Sequence, residues 1–210
     1  MAEVLNSCLD ALDIDRARLV TSSFGGSCAL WFAQRYPDRV ARICHLGCPA
    51  FLAESKLPFM VRLLATPGLG FVAARLPMNR SGVMAFMKSM GEGHLVESER
   101  VPEAFIDWWI ALGRDTDTMR NEREAIRSGA SWRGAARDLL FADESIQSLE
   151  HPMYFYWGAD EPFAHSSYAV NLAKGMRRAT IDIIPEAGHI PWFDDPADAA
   201  ERVRSFMHEK

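Results

Sequence analysis

The sequence predicts an α/β fold in which a mostly parallel sheet carries helices on both faces. Two observations predict it. Short apolar strand-like runs alternate with helical repeats at both ends of the chain, the pattern that places strands side by side with crossover helices between them. Between those ends lies about a hundred residues of helical spacing broken by proline and glycine, which reads as an insertion rather than as part of the sheet.

Taken in order, Val4 to Leu12 has a short amphipathic helical pattern, and Arg18 to Thr21 reads as a strand. From Gly25 to Tyr36 small and apolar residues recur at helical spacing until Pro37 stops the run. A second buried strand, Val40 to Leu46, ends in Gly47-Cys48-Pro49. Strand patterns return at Met153 to Trp157 and at Ala179 to Ile184, separated by a helix over Ser167 to Lys174. The last helix has the clearest start: Asp195 is a natural N-cap, Pro196 takes the first helical position, and Ala199, Val203, Phe206 and Met207 share one face. Residues 1–50 and 151–210 are thus expected to form one discontinuous core domain, with 51–150 a helical insertion. That insertion holds six of the ten methionines and three of the six tryptophans, which are expected to pack it onto the sheet and which also suit an apolar pocket.

Composition narrows the functional classes. The chain has 210 residues, of which 49% are hydrophobic and 24% charged, enough to bury a core. A formal net charge of -5, with no Lys/Arg run, offers nothing to neutralise phosphates, so nucleic acid is not an expected partner. The opening Met-Ala-Glu-Val-Leu-Asn has no basic region ahead of an apolar stretch, and no apolar run approaches transmembrane length. A soluble cytoplasmic protein without a membrane partner is the expectation. Four scattered cysteines, with no C-x-x-C pair, are expected to be reduced. Cys44 and Cys48, with His45 beside them, lack a fourth ligand and read as packing residues rather than a metal site.

Three short segments carry chemistry. Leu19-Val20-Thr21-Ser22-Ser23-Phe24-Gly25-Gly26 is a strand, a sharp turn and a helix start, with Ser23 at the turn. Such a turn lifts a serine Oγ clear of the sheet, and the helix N-terminus favours developing negative charge. A plainer role for Ser23 is N-cap of the helix. Tyr156-Trp157-Gly158-Ala159-Asp160-Glu161-Pro162-Phe163 places two carboxylates just after a buried strand, where an exposed acidic turn is the plainer reading. Ile183-Ile184-Pro185-Glu186-Ala187-Gly188-His189-Ile190-Pro191-Trp192 puts a histidine in a loop beyond a β-branched strand. An imidazole suits a general base because its ordinary pKa lies near the operating pH. His45, His94, His151, His165 and His208 lack that setting and keep the ordinary reading of a surface histidine.

The first segment resembles the nucleophile elbow of the α/β-hydrolase family, usually G-x-S-x-G, with Thr21 standing where the first glycine belongs. The other two resemble the acid turn and the histidine loop of the same family, and the order Ser, acid, His is the family's order. The resemblance covers almost the whole chain and implies a serine hydrolase with a lid over 51–150. It would cleave an ester, or an activated carbon–carbon bond as in the meta-cleavage branch, in a small apolar substrate through an acyl-enzyme. Ser23 would be the nucleophile and His189 the base; Glu161 would be the acid by position, with Asp160 the alternative. The backbone N–H of Phe24 would be an oxyanion donor. A serine at that position argues against haloalkane dehalogenases and epoxide hydrolases, which use aspartate there, and no cofactor or metal is implied.

The family's serine strand is the fifth of eight, whereas here the serine is reached at residue 23. The resemblance therefore implies an incomplete α/β-hydrolase fold, short by on the order of 60 to 90 residues at about thirty per strand–helix unit. The strand at Leu19-Val20 is then expected to be an unprotected apolar edge open to self-association. A catalytically inactive hydrolase-like fragment or interaction module is the competing expectation.

Overall fold

The computed structural model describes residues 1–209 of the chain. Its α-helices are α1 (Ala2–Ala11), α2 (Ser23–Arg35), α3 (Phe59–Ala65), α4 (Leu69–Ala73), α5 (Arg80–Ser89), α6 (Gly93–Glu97), α7 (Glu103–Asp115), α8 (Thr118–Gly129), α9 (Asp143–Gln147), α10 (Ser166–Gly175) and α11 (Pro196–His208). Its strands are β1 (Ala17–Ser22), β2 (Val40–Leu46), the two-residue pair β3 (Ala130–Ser131) and β4 (Gly134–Ala135), β5 (Met153–Gly158) and β6 (Ala179–Ile184). β1, β2, β5 and β6 form a four-stranded sheet in that order, and every pairing in it is parallel. The strands expected from the sequence are all present, within a residue of their expected ends. α2 begins two residues earlier than its apolar repeat, because its first turn is the polar Ser23 and the half-exposed Phe24, which carry no periodic signal.

Alternation of side chains about the sheet builds two cores. Met153, Phe155 and Trp157 of β5 join Ile43, Leu30, Phe32 and Leu172 in the larger one. Tyr154 and Tyr156, pointing the other way, join Cys44 and the α11 residues Ala199, Phe206 and Met207 in the smaller one. All six residues of β5 are buried, as a central parallel strand requires. The expected cap of α11 is formed: the Asp195 side chain accepts from the backbone N–H groups of Ala197 (3.1 Å) and Asp198 (2.9 Å). At the other end of α11 the buried Arg42 guanidinium donates to the carbonyls of Phe206 and Glu209, satisfying last-turn acceptors that no helix can pair internally.

β1 lies at the end of the sheet and is paired only on its β2 side. Ala17 and Leu19 face the larger core, but Val20 on the opposite face is 49% exposed, because the α11 cluster covers residues of β2, β5 and β6 and none of β1. Two compact units divide the chain: Met1–Ser55 with Phe141–Lys210, and Lys56–Leu140. In the first, the two stretches bounding the second unit meet: Leu52 bridges Phe141, and the Phe141 N–H donates to the Phe51 carbonyl at 2.8 Å. The second unit is helical with the small β3–β4 pair, and buries Val83, Met87, Leu95 and Ile106, with Phe86 against Trp109 at 4.6 Å between ring centroids. Among the described residues no helix is long and apolar enough to cross a membrane.

Two histidines depart from the surface positions expected of them. His151 is buried with its Nε2 2.9 Å from the Pro37 carbonyl oxygen. His45 has no exposed surface and lies flat on Phe155, with centroids 5.0 Å apart. An imidazole is an aromatic ring with few polar atoms to satisfy, which suits both to such positions. Burial pushes the His45 imidazole down to about 3. The unfolded chain therefore binds a proton near 6.5 that the folded chain excludes. This contribution to stability is full above that value and is lost as pH falls from there toward 3, by up to about 1.4 kcal/mol per pH unit. Urea unfolding between about pH 7 and 4.5 should show the slope, and His45→Leu should flatten it; an equal slope in the variant would place its origin elsewhere.

Candidate active site

Because β1, β2, β5 and β6 run parallel, their C-terminal ends share one edge of the sheet, where α/β folds gather functional groups. Ser23 follows directly after β1, Glu161 lies three residues past β5, and His189 five past β6. These are the three segments singled out in the sequence.

Ser23 has φ 49°, in the left-handed region that ordinary L-residues avoid, directly after the extended Ser22 (φ -138°). The chain thus reverses within one residue from strand to helix. An N-cap has non-helical backbone before the helix and a side chain bonded to the first turn. The residue in that place is Ser22, whose side chain makes no capping bond, and Ser23 is already the first residue of α2. A strained backbone at a serine on a strand end is the geometry of a nucleophile elbow.

Thr21, in place of the motif's first glycine, turns its hydroxyl to β2. It is in register with His45 on β2, its Oγ1 lies 3.0 Å from His45 Nδ1, and it reaches the Cys44 carbonyl at 3.2 Å. The hydroxyl is therefore accommodated by the neighbouring strand. The crowded glycine is a different one. A Cβ on Gly26 would lie 3.0 Å from Pro49 Cβ and 3.1 Å from His45 Nδ1, whereas one on Gly25 would meet nothing within 4 Å. Thus the second glycine of the pair, not the motif position, lets α2 settle on the loop after β2.

Asp160 and Glu161 separate cleanly. Asp160 is exposed, and its backbone N–H donates to the Ala187 carbonyl at 2.9 Å. Glu161 has no exposed side-chain surface. Its Oε2 accepts from the Cys48 backbone N–H at 3.0 Å and its Oε1 from the Phe163 N–H at 3.1 Å. His189 Nδ1 lies 2.8 Å from Oε2 and 3.0 Å from Oε1, so the imidazole donates to both oxygens of one carboxylate. A buried carboxylate without donors would be strongly disfavoured; this one has a full complement. The Phe163 ring stands 4.4 Å from the imidazole and helps fix its plane. Beside the carboxylate, burial and the Glu161 charge push the Cys48 thiol well above its usual range, so it stays a neutral donor to the Pro49 carbonyl, and no competing thiolate forms.

Two glycines that sequence reading passed over make this arrangement possible. A Cβ on Gly158 would lie 2.1 Å from the Gly188 carbonyl oxygen and 2.3 Å from that of Ala187. A Cβ on Gly47, whose φ is 73°, would lie 2.3 Å from the His189 carbonyl oxygen. The histidine loop therefore rests directly on the backbone of the strand ends, with its turn made at Glu186 (φ 61°). The signal available in the sequence was position: each glycine ends or follows a buried strand.

Phe24, 45% exposed, packs edge-on against Trp31 and Phe51 (6.2 and 6.1 Å), and Trp31 stacks on Phe141 at 5.2 Å. Next to Ser23 there is thus an aromatic wall. The Phe24 N–H belongs to the first turn of α2, whose amides have no partner within the helix.

Comparison with known proteins assigns the family and the fold. The family profile described as alpha/beta hydrolase fold matches residues 1–196, and the chain belongs to that family. It is similar to the 2-hydroxy-6-oxo-6-phenylhexa-2,4-dienoate hydrolase of Burkholderia cepacia, 25% identical over 210 residues, covering 96% of this chain and 66% of the relative. An uncharacterised protein of Mycobacterium tuberculosis is 24% identical over 218 residues, covering 98% of this chain and 60% of the relative. The chain thus spans about 60 to 66% of the length of these relatives. Among solved structures, the 2-hydroxy-6-oxo-6-phenylhexa-2,4-dienoate hydrolase of Rhodococcus sp. strain RHA1 superposes with TM-score 0.70 at 15% identity, covering 99% of this chain and 69% of that one. Naproxen esterase from Bacillus subtilis gives TM-score 0.63 at 21% identity, covering 99% and 65%. These structures share the fold.

Removing the charge from Glu161 tests how tightly its site is specified. In Glu161→Gln an amide nitrogen would face the Cys48 or Phe163 N–H, or else the His189 proton, so that a buried donor loses its acceptor. Urea unfolding should show a loss of about 1–3 kcal/mol. Asp160→Asn, at an exposed side chain, should stay within about 0.5 kcal/mol of wild type. Equal effects would mean that the carboxylate is not held as described.

Proposed function

We propose that the protein is a serine hydrolase that cleaves an ester, or an activated carbon–carbon bond, in a small apolar substrate through an acyl-enzyme. The observation that carries the reading is the buried Glu161 carboxylate accepting from His189 Nδ1, at the same sheet edge as a serine held at positive φ. Ser23 Oγ attacks the substrate carbonyl carbon while His189 Nε2 takes its proton. Glu161 holds the imidazole in the tautomer with its proton on Nδ1 and stabilises the imidazolium that forms. The Phe24 N–H, at the positive end of α2, donates to the oxyanion. Collapse expels the leaving group, which receives the proton from His189, and water then attacks the acyl-enzyme with His189 again as base. The aromatic wall of Phe24, Trp31 and Phe51 supports an apolar substrate. The names of the relatives, a dienoate hydrolase and a naproxen esterase, support the choice of bond.

A fluorophosphonate probe should label the wild-type chain at Ser23 and leave Ser23→Ala unlabelled. Glu161→Gln should lower hydrolysis of a nitrophenyl ester by about 10⁴, the scale known for amidation of a triad aspartate, and Asp160→Asn should leave it unchanged. Labelling of Ser23→Ala at the same rate, or equal small effects from both acidic variants, would contradict the reading.

One observation favours a second reading, an interaction module that self-associates. β1 is paired on one side only, and Val20 lies exposed beside its free backbone groups. Light scattering of the 210-residue chain should then show association that Val20→Lys reduces; a monodisperse monomer in both would remove this reading.

A further inference from the structure

We infer that the four residues Gly47–Ala50, clamped by Ser27, form a positioning strap that sets Ser23, Glu161 and His189 relative to one another; the inference rests on the hydrolase reading above. Each of the three is touched by a different residue of the same short segment. Gly47 lies against the His189 carbonyl oxygen, closer than any side chain would permit, while its own N–H donates to Tyr156 O at 2.8 Å and prolongs the β2–β5 ladder. Cys48 gives its backbone N–H to Glu161 Oε2 at 3.0 Å. Pro49 backs onto Gly26 in α2. Ala50 donates its N–H to the Ser23 carbonyl oxygen at 3.0 Å. Nucleophile, acid and base therefore hang from four consecutive residues, although they lie 138 and 28 positions apart in the chain (23 to 161, and 161 to 189).

For such a strap to set geometry it must itself be stiff, and three features make it so. Gly47 is fixed by its ladder bond and its contact with the histidine loop. Pro49 has its φ locked by its ring. The Ala50 residue is held at both polar groups, by its N–H to Ser23 and by its carbonyl, which accepts the Ser27 Oγ proton at 2.6 Å. Ser27 has no exposed surface and lies one helical turn beyond Ser23, so its hydroxyl ties the strap to the first turn of the elbow helix. A residue at φ 49° persists only where its surroundings over-determine it, and the Ala50–Ser23 bond is one of the restraints that do so. Ser27 is thus a positioning residue acting through Ala50 on Ser23, and through the same strap on Glu161 and His189. Its loss frees one end of the strap and leaves the Ala50 carbonyl without its Ser27 donor.

The test compares Ser27→Ala with wild type by two readouts. The first is the rate of fluorophosphonate labelling at Ser23. The second is the downfield NMR resonance of the His189 Nδ1 proton, assigned by its absence in His189→Asn, which reports the bond to Glu161 without requiring turnover. Ser27→Ala should slow labelling by about ten- to 10²-fold, the scale of a misplacement near 1 Å, and should shift or broaden the His189 resonance. Ser27→Cys, which keeps a weaker donor, should recover part of both. Ser128→Ala removes a hydroxyl bonded to a backbone carbonyl on exposed α8 and should move neither. If Ser27→Ala does not fold, Pro49→Ala, which loosens the strap without removing any hydrogen bond, makes the same comparison and should change both readouts in the same direction. An unchanged His189 resonance in a folded variant would overturn the inference, because Ser27 would then act on the elbow alone; so would unchanged labelling. A wild-type chain that does not label at Ser23 would instead overturn the hydrolase reading, and the resonance would still decide whether the strap positions His189.

Discussion

A carboxylate with no exposed side-chain surface must be given donors by the protein, and the arrangement of this sheet edge follows from supplying them to Glu161. Two come from backbone, at Cys48 and Phe163, and the third is the His189 imidazole. To deliver the first, the loop after β2 must come close to the end of β5; to deliver the third, the loop after β6 must lie across both. Neither approach tolerates a side chain at Gly47 or Gly158. The buried acid thus fixes where two glycines are needed, how the histidine loop runs, and which nitrogen of His189 carries its proton.

The second constraint is the reversal at Ser23. A left-handed serine is conformationally unfavourable by on the order of 1 kcal/mol or more, and is retained where neighbouring structure leaves no alternative. Here the neighbours are the Thr21–His45 contact in register on β2, the close seat of Gly26 on Pro49, and the Ala50 peptide. The position two residues before Ser23, a glycine in the family's motif, carries Thr21 in this chain, and the adjacent strand offers a partner for its hydroxyl. The same buried histidine that receives Thr21 cannot take up a proton near neutral pH, so the elbow rests on an uncharged partner.

Much of this was legible in the sequence because it is carried by local patterns. Strand-like runs at Val40–Leu46 and Ala179–Ile184 and the Asp195 cap of α11 follow from periodicity and capping chemistry alone. The segments bearing Ser23, Glu161 and His189 were likewise recognisable from short spacing. What could not be read were the contacts between segments distant in sequence. That Asp160 faces solvent and Glu161 the interior depends on the loop path set by Gly158 and Ala187, and adjacent acids give no local sign of it. That His45 is buried depends on Phe155 lying opposite in register, 110 residues on (45 to 155). The roles of Gly47 and Ser27 are invisible for the same reason: each acts on a residue that only the fold brings near.

In the proposed mechanism Ser23, His189 and Glu161 act as one unit in acyl transfer. This is tested most directly by pre-steady-state hydrolysis of a nitrophenyl ester, with the acyl group trapped by acid quench and located by peptide mass spectrometry. The expected result is a burst of nitrophenolate stoichiometric with the enzyme and an acyl group on the peptide containing Ser23. Turnover with no burst and no acyl adduct, or an adduct on another residue, would contradict it.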